Sequence, residues 1–332
     1  MTPADELHPR RAVDVADEGS VPAADESADR GPAEGDPAQG RRGNGSRRGG
    51  EARRNPAGPM LHEVGGRPPL GVYITRLLAR RHFAWTHASA QALSKNSSNV
   101  LGNIWLVLGP MLDAFAYYVI FALILKTDRG MPNFFAFIVL GVFLFRYSMK
   151  SLNAGSGLIR SSKGLIRGFA FPRAALPLAA LIREAISMVP VIITALVLVV
   201  AVPPHEPPNR LWILLPALLA LQTVFNFGLI LTTARLTYHL PDLSSLISVL
   251  SRFWMYGSGV LFSVERFVDS PGFMTFMKIN PLFHILAIAR SIVIDETVPP
   301  AEPWLILTAW SAGMLLFGFI YFWRGEVNYG RE

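Results

Sequence analysis

The stretch RSSKGLIRGFAFPRAALPL, residues 160–178, lies between two apolar runs, each about the twenty residues that cross a bilayer. It holds Arg160, Lys163, Arg167 and Arg173 and no acidic side chain. An excess of Lys and Arg in a short loop beside a span keeps that loop in the cytoplasm, so this segment sets the direction in which the chain is threaded. Residues 161–170 are expected to form a short helix, with Leu165, Ile166 and Phe169 on one face and Lys163 and Arg167 at its rim. Pro172 bars its continuation and fixes the turn into the next span.

The composition agrees with a membrane setting. Of 332 residues 51% are hydrophobic and 17% charged, and the mean hydropathy is +0.34, which is the profile of a polytopic membrane protein rather than a soluble domain. Cysteine is absent, which excludes disulfides, zinc–thiolate sites and thiol nucleophiles. Residues 1–69 carry 12 acidic and 10 basic side chains, and the rest of the chain 12 and 21. The basic excess therefore accompanies the apolar spans, which suits cytoplasmic loops and anionic lipid headgroups and not nucleic acid.

Residues 1–68 are rich in Ala, Gly, Pro, Asp, Glu and Arg and nearly devoid of aromatic side chains, so they are read as a disordered cytoplasmic leader. The leader has no apolar core at its start and is not read as a signal peptide. Residues 69–93 combine Leu70, Ile74, Leu77, Leu78, Phe83 and Trp85 with Arg76, Arg80 and Arg81, the pattern of an amphipathic helix lying in the membrane interface. Residues 94–332 hold six candidate spans, near 101–125, 133–155, 180–202, 211–234, 243–263 and 303–323. With the 160–178 loop inside, both termini face the cytoplasm. The outer segment around 264–296 carries two short apolar runs split by Asn280-Pro281, too short to cross and too apolar for a plain loop, and is expected to form two re-entrant helices. The fold class is thus an all-α integral membrane protein.

Several chemistries have no support. No Gly-x-x-x-x-Gly-Lys-Ser/Thr run is present to cradle ATP phosphates, and the seven histidines form no His-Glu-x-x-His pattern. No metal site or catalytic residue is assigned.

Four stretches together resemble the permease subunits of type-2 ABC transporters, among them LTYHLPDLSSLISVLSRFWMYGSGVLFS (236–263), which resembles the fifth-span entry with an Asp after the cytoplasmic turn. SKNSSNVLGNIWLVLGPMLDAFAYYVIFALIL (94–125) resembles the first-span signature, with Leu101, Gly102, Trp105 and Pro110 at its marked positions. GLIRGFAFPRAALPLAALIRE (164–184) resembles the cytoplasmic coupling segment with its Phe-Pro-Arg, and INPLFHILAIARSIV (279–293) the outer helix opened by Asn-Pro. Within that family the chain is most similar to the polysaccharide exporters, which carry O-antigen, teichoic acid or galactan. The resemblance implies a channel-forming subunit in the cytoplasmic membrane, working as a homodimer with two copies of an ATP-binding subunit that holds the ATP and magnesium, and moving a lipid-linked polysaccharide, with galactan favoured. This chain would bind no cofactor and would not be an enzyme.

The resemblance makes Lys163, Leu165, Ile166, Arg167, Phe169 and Arg173 the residues of ATPase coupling. Aromatic stripes mark Trp105, Phe115, Tyr118, Phe134, Phe137 and Phe145, together with Arg146, as candidate channel residues, because aromatic faces stack on sugar rings without demanding one register. Asp113, Arg146 and Arg252 fall near mid-membrane, where a charge must be paired or wetted. Asp113 and Arg146 share a depth and are expected to pair. Two further readings stay open: a type-2 permease for drugs or small lipids, and a membrane-embedded glycosyl transferase or ligase using Glu265, Asp269, Asp295 and Glu296.

Overall fold

A computed structural model describes residues 69–94, 104–124, 133–169, 171–204, 207–263 and 271–329. The leader, Leu101 and Gly102 of the first-span signature, and Glu265 and Asp269 lie outside the described residues. The described residues are helical, with no strand among them. Among the described residues four helices are long and apolar enough to cross a membrane. These are α4 (Phe134–Gly155), α7 (Ala175–Ala201), α8 (Leu215–His239, extended at its start by a 3-10 turn, Arg210–Leu214) and α12 (Ala301–Arg324). The segment expected as span one gives α3 (Trp105–Tyr118), which continues as a π-helical turn over Val119–Ile124.

The segment expected as span five differs from its 243–263 reading. Helix α9 (Leu243–Tyr256) runs only 14 residues and ends at Gly257. Gly259 then takes a φ of 66°, a left-handed conformation that glycine adopts without penalty, and Val260 and Leu261 turn inward and are buried. Beyond it stand two short helices, α10 (Pro271–Ile279) and α11 (Pro281–Val293), broken at Asn280 as the Asn-Pro pair requires. The interfacial segment also divides: α1 (Leu70–Ala79) and α2 (Arg81–Ser94) meet at Arg80. Tyr73 and Leu77 of α1 are buried, whereas Leu70, Ile74 and Leu78 face outward.

Proline placement explains the helix starts. Pro177 sits in the first turn of α7 and Pro216 in that of α8, where no intrahelical N–H bond is lost. Asparagines cap the ends remote from the 160–178 loop and tie neighbouring segments at the same time. Asn133 accepts from Ala136 N at 2.9 Å to cap α4 and donates to Pro204 O at 2.8 Å. Asn209 accepts from Leu211 N at 2.9 Å and donates to Ile292 O at 3.0 Å. Asn280 accepts from Leu282 N at 3.1 Å and donates to Gly257 O at 3.0 Å. Each side chain thus satisfies an orphan helix donor and a carbonyl of a loop or helix end together.

α8 and α12 pack backbone to backbone. A Cβ on Gly228 would stand 2.4 Å from the Met314 carbonyl, and one on Gly318 would stand 2.5 Å from Gly228 O. Small residues permit such an approach where lipid supplies no hydrophobic drive between helices. Gly228→Ala must push α12 away, a cost of about 1–3 kcal/mol. Its expected signature is a lowered melting temperature of the purified protein in detergent; an unchanged value would show that the two helices separate freely.

Candidate functional site

The basic connection between α4 and α7 folds as two short helices, α5 (Leu158–Ser161) and α6 (Lys163–Gly168), with Phe169 extended after them. Gly157 opens it with a φ of 71°, and its N–H donates to Thr237 Oγ1 at 3.0 Å. Ile159 and Ile166 enter an apolar cluster with Tyr73 and Leu77 of α1, Tyr238 of α8, and Phe322 and Tyr329 at the end of the chain. The segment is therefore held against the bundle on its apolar side.

This packing revises the expected docking face. Ile166 is only 8% exposed and Leu165 packs against the same cluster, so both serve the chain's own interior. Phe169 points the other way at 67% exposure, beside the exposed Arg167, Gly164 and Gly168. Arg160 and Arg173 are turned to internal use. Arg160 donates to Tyr238 O at 2.9 Å, and Arg173 donates from its guanidinium to Glu326 O at 2.8 Å and from its N–H to Glu326 Oε1 at 3.1 Å. Tyr73 accepts from Ala174 N at 3.0 Å. Burial pushes the Glu326 carboxyl above the usual carboxylate range, with the Tyr73 hydroxyl and then the Arg173 N–H and guanidinium opposing the shift. Burial and the facing Glu326 carboxyl push the Tyr73 hydroxyl up as well.

Deeper in the bundle the Asp113 carboxylate of α3 meets the Arg146 guanidinium of α4, both groups partly exposed. The pair borders a cleft lined in part by Tyr147, Lys150, Glu184 and Ser187, with Glu184 held by Arg183 at 3.0 Å. Arg252 stands exposed on α9. Between α4 and α8 runs a polar seam: Gln222 Nε2 donates to Leu144 O at 2.8 Å and to Ser148 Oγ at 3.0 Å, and the Tyr147 and Thr223 hydroxyls meet at 2.8 Å. Sequence reading missed this seam. Its one trace is a run of amide and hydroxyl side chains, Gln222, Thr223 and Asn226, inside an apolar helix.

The candidate channel aromatics separate into two groups. Phe134, Phe137 and Phe145 are buried in the chain's own core, and the Phe134 and Phe137 rings stack at 6.0 Å. Trp105 and Phe115 are exposed on α3, while Tyr118 packs edge-on against Phe135 at 5.3 Å. Phe137 carries a further load. The Arg290 guanidinium of α11 lies 3.3 Å over its ring and donates to Gly259 O at 3.0 Å and Val260 O at 3.1 Å. Gly141 makes room for this clamp, since a Cβ there would stand 2.6 Å from Val260 O.

Long apolar helices, a polar seam between two of them and a basic connection folded back on the bundle make this an all-helical, multi-pass membrane protein. Its relatives are permeases. The chain is 24% identical over 215 residues to the O-antigen export system permease protein RfbA of Myxococcus xanthus, a match covering 65% of this chain and 81% of that protein. Two proteins of the same name from Klebsiella pneumoniae are 24% identical over 205 and 202 residues, covering 60% of this chain and 76% and 74% of theirs. No family model matches the chain. The likeness read from the sequence, to the permease subunits of polysaccharide-exporting type-2 ABC transporters, is shown by these matches.

Proposed function

We propose that this chain is the channel-forming subunit of an ABC exporter that moves a lipid-linked polysaccharide, galactan in the favoured case, out across the cytoplasmic membrane. A separate ATP-binding subunit, present in two copies with its ATP and magnesium, supplies the work, and a second copy of this chain completes the channel. Both termini lie in the cytoplasm under this reading, because the basic α5–α6 connection does.

The observation that carries the proposal is α6. It is a short helix pinned on one side by Ile166 and offering Phe169, at 67% exposure, on the other, at the junction of two long helices. A protein that seats Phe169 in a groove and moves it would tilt α4 and α7 as levers. Among the candidate channel residues, this reading assigns contact with a passing polymer to Trp105, Phe115 and Tyr118 of α3, and the exposure of the first two supports it. Leu70, Ile74 and Leu78 of α1 suit contact with membrane lipid. Depletion of the chain from its host is expected to remove the surface polymer while its lipid-linked precursor accumulates inside. Loss of the precursor itself would indicate a transferase, and unchanged surface polymer would indicate a different cargo.

A further inference from the structure

The turn after the last long helix, Gly325–Tyr329, is bound to the coupling connection although more than 150 residues separate them in sequence. Glu326 is 5% exposed. Its carboxyl accepts from the Arg173 N–H at 3.1 Å, and its carbonyl accepts from the Arg173 guanidinium at 2.8 Å. The turn is anchored from behind as well. Tyr329 is fully buried, its ring 5.2 Å from that of Tyr238 and 4.9 Å from that of Phe322, and the Tyr238 hydroxyl donates to Asn328 O at 2.8 Å. From the other flank Tyr73 of α1 accepts from Ala174 N at 3.0 Å, so the two residues that open α7 are gripped by α1 and by the chain's end together. A buried carboxyl is a poor source of stability, since its desolvation offsets much of what its partners return. Its contribution is direction: the carboxyl fixes the Arg173 N–H just ahead of α7, beside the bond that the Arg173 guanidinium makes to the main-chain carbonyl of the same residue.

We propose that Glu326 is a positioning residue for coupling, making the Gly325–Tyr329 turn the strut through which displacement of α6 reaches α12 as well as α4 and α7. The inference rests on the permease reading given above. The test uses the full complex with its ATPase subunit in lipid vesicles. A spin label is placed on Leu316→Cys, an exposed site on α12 in a chain otherwise free of cysteine. Addition of ATP and magnesium is expected to change the label's spectrum in the parent complex. In E326A that change, and the polymer exported per ATP in cells, should fall about five- to tenfold. E326Q, which keeps an acceptor for the Arg173 N–H, should restore most of both. Arg173→Met, which removes only the guanidinium bond, should show a partial loss, and it carries the test if E326A does not assemble. An intact response in both E326A and Arg173→Met overturns the strut, as does an E326Q complex no better than E326A. A parent complex without any nucleotide response overturns the permease reading, and the strut with it.

Discussion

Phe169→Glu is expected to leave the chain inserted in the membrane at normal levels while the complex loses its ATPase subunit or its export. The side chain is 67% exposed, and surface changes of this kind usually alter stability by no more than about 0.5 kcal/mol. A carboxylate forced into an apolar groove has a far larger effect. Disrupting a central interface anchor costs about 2–4 kcal/mol, roughly a 30- to 1000-fold loss of affinity. Ile166→Glu supplies the contrast. Its site is 8% exposed and shares a cluster with Tyr73 and Phe322, so that variant should fail at folding and disappear from the membrane. Immunoblots of membrane fractions, copurification of the ATPase and surface polymer separate the two outcomes. Wild-type copurification and export by Phe169→Glu would remove α6 from the coupling role.

Exchange of Asp113 and Arg146 carries the second large effect. Either single reversal, Asp113→Arg or Arg146→Asp, places two like charges where an ion pair joins α3 to α4. An uncompensated charge near mid-membrane costs about 3 kcal/mol even on the mildest insertion scale, so each single variant should lose most of its export. The double exchange restores an opposite pair across the same gap and should recover a large part of it. Recovery of nothing by the double variant would mean that the two charges act separately, each on a different partner.

What the sequence discloses follows from which forces are local. Apolar length located α4, α7, α8 and α12, because each must satisfy its own backbone in lipid. Hydropathy reports where the chain is apolar and not where a helix begins, so α7 starts at Ala175, ahead of the expected 180, with Pro177 inside its first turn. α9 stops at Tyr256 because Gly257 and Gly259 turn the chain, while the apolar Val260 and Leu261 kept the expected span running through them. The Asn280-Pro281 break was visible because its chemistry is confined to adjacent residues. Most partnerships were not, the Asp113–Arg146 pair apart. Periodicity put Phe134 and Phe137 on one face of α4 without disclosing that Arg290, 153 positions beyond Phe137, lies over that face. Arg173 read as one more cytoplasmic cation, and only the fold brings Glu326 to it.

The Arg290 clamp carries a consequence for how such a protein drifts in evolution. Hydrogen bonds from its guanidinium end on main-chain oxygens of residues 137, 259 and 260, atoms that every amino acid supplies. Substitution at residue 260 leaves its acceptor in place as long as the turn keeps its shape, whereas residue 259 is held to glycine by its left-handed φ. The donor has no such latitude, because a lysine is a single point of charge and lacks the planar fork that reaches two carbonyls at once. The mutational asymmetry this arrangement imposes is that residue 260 tolerates exchange of its side chain while Arg290 does not.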